Sequence, residues 1–124
     1  MLSNCDVTTF VATIKPDEAR HFYEQVLGLT FVSDGPAALV LEANGVLLRV
    51  QKVQSLTPAP HTVLGWVVPD IAATVADLNE KGVQFNLFEG MGQDAAGILT
   101  FDYGVRVAWF NDPDGNTLSL TQMP

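Results

Sequence analysis

Residues able to do chemistry are sparse in this 124-residue chain, and their spacing excludes more reactions than it permits. It has two histidines, His21 and His61, and one cysteine, Cys5, and no serine, threonine or cysteine sits in a recognisable nucleophile setting. Gly90-Met91-Gly92-Gln93-Asp94-Ala95 has the letters of a dinucleotide loop. It runs into the strand-like Ile98-Leu99-Thr100-Phe101 where such a loop needs a helix, and Asp94 would repel phosphate. Asp112-Pro113-Asp114-Gly115-Asn116 offers two carboxylates in a short turn, too few oxygen donors for calcium. It reads instead as a tight hairpin turn, with Asp112 accepting from the turn backbone and Gly115 at positive φ. Fourteen acidic residues against six basic ones give a net charge of -8, which argues against nucleic acid because phosphates would be repelled over most of the surface.

The elements that must position these residues come in two copies. Pro16 opens an amphipathic stretch closed by Gly28, and 54 residues on, Asp70 opens another closed by Gly82. Leu29-Thr30-Phe31-Val32 follows the first glycine and Val83-Gln84-Phe85-Asn86 the second. Only two copies fit, so they are expected to form one domain over 1–124, as modules 1–54 and 61–124 joined by the linker 55–60. In the first copy, Cys5 to Ile14 reads as a strand, and Pro16 with Asp17 and Glu18 starts a helix. Ala19, Phe22, Tyr23, Val26 and Leu27 form its apolar stripe. Strands Leu29 to Ser33, Ala37 to Ala43 and Val46 to Val53 follow, the last two joined by the hairpin signal Asn44-Gly45. The second copy reads as strand Thr62 to Val68, helix Asp70 to Lys81 and strand Val83 to Glu89. Asn44-Gly45 and Asp114-Gly115 are 70 residues apart rather than 54, so about sixteen residues are added in the second half, around Gly90 to Gly97. The apolar runs are strand-sized, so no membrane span is expected. One cysteine cannot form an internal disulfide and no leader-like segment opens the chain, so a cytoplasmic location is expected.

The segment 19–29 (Ala-Arg-His-Phe-Tyr-Glu-Gln-Val-Leu-Gly-Leu), with Tyr103-Gly104-Val105-Arg106 and Phe110-Asn111-Asp112-Pro113-Asp114-Gly115-Asn116-Thr117-Leu118, resembles the vicinal oxygen chelate superfamily. That group includes glyoxalase I, bleomycin-resistance proteins, fosfomycin-resistance transferases and extradiol dioxygenases. The resemblance covers nearly the whole chain. It implies an α+β fold of two βαβββ modules whose curled mixed sheets surround a cavity, usually within a homodimer.

The resemblance also implies a divalent metal held by His and Glu at fixed strand positions, which fall here on Thr8, Arg49, Val63 and Ser119. None is a ligand of the required kind, and an arginine would repel a divalent ion. His61 is two residues before Val63 on the same strand face, but no glutamate or second histidine joins it. No metal or other cofactor is expected. Taking those positions as inward, strand alternation lines the cavity with Thr8, Phe10, Leu47, Arg49, Gln51, Val63, Val107, Trp109 and Ser119. Tyr103 is a second stacking candidate, while Trp66 has the opposite parity and belongs to the core. Arg49 needs a ligand or a carboxylate, Glu42 or Glu89, as partner.

An apolar wall with a few polar groups suits a small planar, aromatic ligand, and the resemblance adds antibiotics to the candidates. Glu89, Asp94 and Asp102 would bias the site toward cations. The alternative is a glyoxalase-like lyase, isomerase or dioxygenase-related enzyme with a rearranged site, Arg49 stabilising an oxyanion. Nothing supplies the general base it needs. Each module alone would expose an apolar sheet face, so a homodimer is expected.

Overall fold

The computed structural model describes residues 1–124. The chain divides into two compact units, Met1–Pro58 and Ala59–Pro124, with the boundary inside the proline-bearing stretch 55–60.

The first unit runs β1 (Thr8–Thr13), α1 (Pro16–Arg20), a π-helical segment (His21–Val26), β2 (Thr30–Asp34), β3 (Ala38–Ala43) and β4 (Val46–Lys52), after a short turn at Leu2–Asn4. Its sheet has the order β1-β4-β3-β2. β1 lies parallel to β4 and the other pairs are antiparallel. Pro16 begins α1, and Asp17 and Glu18 place negative charge where the first-turn amides are unpaired. The plain helix expected to Leu27 widens after Arg20, and the amide of Leu27 donates to Phe22 O five residues back, at 2.9 Å. An apolar stripe cannot reveal this, because one wider turn displaces the later residues by a single position. Asn44 (φ 50) and Gly45 (φ 83) turn the predicted hairpin, as the twist of flanking strands requires.

The second unit runs β5 (Thr62–Val67), α2 (Ile71–Glu80), β6 (Leu99–Thr100), β7 (Arg106–Asn111) and β8 (Thr117–Gln122), in the order β5-β8-β7-β6 with β5 parallel to β8. β5 repeats the span of β1 at the predicted 54-residue offset. Asp70 caps α2, its carboxylate accepting from Ala73 N at 3.1 Å. The helix ends where Gly82 (φ 91) reverses the chain and Val83 N donates to Leu78 O at 3.0 Å.

The strand expected over Val83 to Glu89 does not form. Phe85 bridges Phe110 and Asn86 N donates to Trp109 O at 2.7 Å, after which the chain leaves β7 and returns only at Leu99–Thr100, paired with Val107 and Arg106. The added residues are thus inserted into the edge strand, which they split into two short pieces.

Burial alternates along β4 and β7, while β3 and β8 each bury three consecutive residues, Leu39-Val40-Leu41 and Leu118-Ser119-Leu120. In the first sheet, Val11, Leu39, Leu41, Leu48 and Val50 are buried, as are Ala19 and Tyr23 of the helical stretch. In the second sheet, Ala108, Phe110, Leu118 and Leu120 are buried, as are Ile71, Val75 and Leu78 of α2. Trp66 stacks on Phe110 with centroids 6.5 Å apart, on the core face as its parity predicts.

Candidate ligand pocket in the second unit

Sheet register groups most of the sequence-predicted site residues, unit by unit. In the first unit Thr8 pairs with Leu47, Phe10 with Arg49 and Ala12 with Gln51, so Thr8, Phe10, Leu47, Arg49 and Gln51 share the face opposite the buried one. Phe10 is 49% exposed there. The hydroxyl of Thr8 donates to Leu47 O at 3.3 Å. Arg49 is exposed and makes no ion pair, and the carboxylate of Glu42 accepts instead from the amide of Gly45. Water solvates an exposed guanidinium, so the partner expected for it is not needed.

In the second unit Gly65, Ser119 and Trp109 align across β5, β8 and β7, with Val67, Thr121 and Val107 beside them. Val63 is on the irregular step between Thr62 and Leu64, 40% exposed. Ser119 is buried against Gly65, where an added Cβ would come within 2.7 Å of the serine Oγ. Tyr103 is apart from these residues, in the turn before β7, 69% exposed and stacked on Phe101 at 5.5 Å.

A cavity of ≈ 760 Å³ opens beside Trp109, wholly within the second unit. Its apolar wall is Pro60, Leu87, Phe88, Met91 and Trp109; its polar groups come from His61, Thr62, Asn86, Asn111 and Thr117. Of the predicted residues only Trp109 borders it. Phe88 meets Trp109 edge to face, centroids 5.9 Å apart at 79°, which makes an aromatic corner on which a flat ring can stack against one member and meet the other edge-on. No Asp, Glu, Lys or Arg lines the cavity. The expected acidic bias is therefore absent from its wall, and the Asp94 carboxylate is engaged by the amides of Ala96 and Ile98, both at 2.9 Å. His61 Nδ1 contacts Thr62 O at 3.1 Å, which assigns the ring proton there to Nδ1 and leaves Nε2 as an acceptor in the neutral ring.

The insertion supplies one side of this cavity, and a single side chain holds the insertion in place. Gln93 Nε2 donates to Asn86 O at 2.9 Å and to Gly97 O at 2.8 Å, while its Oε1 accepts from Phe88 N at 2.7 Å. Both ends of the excursion and its aromatic residue are thereby tied to one amide. Sequence reasoning flagged the loop through its length and glycines, but Asn86, Phe88, Met91 and Gln93 carried no signal of their own.

Residues 7–120 match the family model described as Glyoxalase/Bleomycin resistance protein/Dioxygenase superfamily. The chain belongs to this superfamily. Similar solved structures include a superfamily member from Sphaerobacter thermophilus DSM 20745, 21% identical, covering 99% of this chain and 100% of that one with a TM-score of 0.77. An antibiotic-binding protein from Streptomyces sp. CB03234 is 22% identical over 100% of this chain and 99% of its own, TM-score 0.74. A lactoylglutathione lyase from Agrobacterium tumefaciens is 16% identical over 96% and 93%, TM-score 0.74. At these identities the likeness is one of fold. No curated protein sequence matches the chain as a relative.

The divalent metal used by enzymes of this superfamily does not fit the residues at the corresponding positions. Thr8 is bonded to backbone, Arg49 is a cation, Val63 has no donor atom, and Ser119 is buried against Gly65. Nowhere do three His, Cys, Asp or Glu side chains gather in a group able to hold a metal ion. No helix of this superfamily member is long and apolar enough to cross a membrane.

Proposed function

We propose that this chain is a metal-free, small-molecule-binding member of the superfamily, which holds a planar, uncharged organic ligand against Trp109 and Phe88 in the second unit. The observation that carries the reading is the aromatic corner inside a cavity whose lining has no Asp, Glu, Lys or Arg. Stacking on such a corner contributes about 1 kcal/mol beyond area burial, and a wall without ions penalises charged ligands that must shed water. The fold shared with an antibiotic-binding protein makes aromatic antibiotics one candidate class, and a role in antibiotic resistance follows from that candidate alone. The protein is read as cytoplasmic and as a homodimer.

The open sheet faces, with Phe10 and Val67 exposed, support association with a second copy. The test is calorimetric titration of wild type and Trp109→Ala with neutral, cationic and anionic aromatic compounds. Saturable binding of neutral rings, lost in Trp109→Ala and without turnover, is the expected result. The enzyme alternative keeps one supporting feature, His61 in the cavity wall, and turnover abolished by His61→Ala would replace the binding reading with it.

A further inference from the structure

The environment of Asn86 says more about the ligand, on the premise that the cavity beside Trp109 is a binding site. Asn86 has four hydrogen-bonding groups, and three are committed within the protein. Its amide N donates to Trp109 O at 2.7 Å, its carbonyl accepts from Gln93 Nε2 at 2.9 Å, and its Nδ2 donates to Asn111 Oδ1 at 2.9 Å. The orientation of the side-chain amide is fixed by logic as well as by distance. Asn111 Nδ2 donates to the carbonyls of Gly115 and Asn116, at 3.2 and 3.5 Å, so Asn111 must turn its Oδ1 toward Asn86. Asn86 can answer an acceptor only with its Nδ2. The remaining atom, Asn86 Oδ1, has no protein partner, and both asparagines line the cavity.

We propose that Asn86 Oδ1 is a preorganised acceptor that selects the ligand: an uncharged aromatic ring bearing an N–H or O–H donor, such as a phenol or a lactam. Held through its backbone and its own Nδ2, this oxygen does not reorient when a ligand arrives, so the full benefit of the bond is retained. A ring with its donor blocked leaves that oxygen desolvated and unpaired, which is the larger penalty. Thr62 and Thr117 can donate or accept, and so do not discriminate, while His61 Nε2, an acceptor in the neutral ring, favours the same donor-bearing ligands. A carboxylate ligand would bring acceptor against acceptor, with no cation in the wall to offset it. Asn111 is a positioning residue: it sets which end of Asn86 faces the ligand.

The test is a matched pair, 2-naphthol and 2-methoxynaphthalene, titrated calorimetrically into the full-length protein. Wild type is expected to bind the naphthol about tenfold more tightly. Asn86→Leu is expected to remove that preference chiefly by tightening the ether toward the naphthol, since no oxygen is left unpaired against it, with Asn86→Ser, too short to reach, standing in should the leucine variant not fold. Asn111→Ala, which frees the Asn86 amide to turn over, is expected to shrink the preference part-way. Equal affinity of wild type for the two probes, or a preference that survives removal of the Asn86 amide, overturns the assignment and leaves the pocket reading intact. Failure of both probes to bind, with no change in Trp109→Ala, overturns the pocket reading and this inference together.

Discussion

Gln93 is the sharpest place to perturb the site without touching its wall. Gln93→Ala removes three hydrogen bonds at once, to Phe88 N, Asn86 O and Gly97 O, at 2.7, 2.9 and 2.8 Å. Phe88 is exposed, so its amide regains water and that loss is small, about 0.5 kcal/mol. Gly97 is buried, and its orphaned carbonyl costs about 1–2 kcal/mol, with Asn86 between the two cases. The sum is about 2–4 kcal/mol, below the total stability of a domain, so the protein should fold with a loosened insertion. Native-state hydrogen exchange should show the Phe88 amide losing protection by roughly thirtyfold or more, while the Asn86 amide, bonded to Trp109 O, stays protected. Affinity for an aromatic ligand should fall too, because Phe88 and Met91 border the cavity from this segment. Gln93→Glu separates the hydrogen-bonding argument from mere side-chain size. It keeps an acceptor for Phe88 N but sets a carboxylate oxygen against two carbonyls, so at neutral pH it should be less stable than the alanine variant. A glutamate variant as stable as wild type in urea, or unchanged protection at Phe88 in the alanine variant, would refute the reasoning.

Asp112 is buried, and its carboxylate accepts from Asp114 N, Asn116 N and Asn116 Nδ2 at 3.0, 2.9 and 2.8 Å. Asp112→Ala should therefore cost about 2–4 kcal/mol in chemical denaturation, and Asp112→Asn, which keeps the acceptor Oδ1, markedly less. Elemental analysis of dialysed protein should find well under one equivalent of zinc, nickel, manganese or iron per chain, since Thr8, Arg49, Val63 and Ser119 offer neither an imidazole nor a carboxylate. Light scattering at micromolar concentration should give a mass near twice the 13.4 kDa of one chain; a monomer would count against the dimer.

The duplicated framework was legible because its signals are local. Gly28 and Gly82, the cap at Asp70, Asn44-Gly45 and the alternating strands each specify their own conformation with little help from the rest of the chain. Register then followed, and it correctly grouped Thr8, Phe10, Leu47, Arg49 and Gln51 on one face and turned Trp66 to the core. The π-helical stretch and the broken strand after Phe85 were not legible. Val83-Gln84-Phe85-Asn86 has the apolar cadence of a strand and even begins to pair as one. What ends the pairing is Gln93, seven residues farther on, whose side chain replaces the missing ladder partners of Asn86 and Phe88. Polar side chains that substitute for backbone partners across a loop have no periodicity to betray them.

The same break accounts for the difference between the two copies. In the first unit the edge strand stays beside β3 as far as Asp34, so the backbone after Phe31 is committed to the ladder. In the second, the chain quits β7 after Asn86 and rejoins it at Leu99. The residues between are free of ladder constraints and set Leu87, Phe88 and Met91 around the cavity beside Trp109. Only Trp109, Asn111 and Thr117 of the lining come from the two central strands β7 and β8; the insertion supplies the rest of the aromatic corner. A wall made this way can change sequence without disturbing the sheet that carries it. Solved structures at 16 to 22% identity share the whole fold, so a wall carried by the insertion is where the ligand of the proposed pocket is to be sought, together with the open acceptor of Asn86.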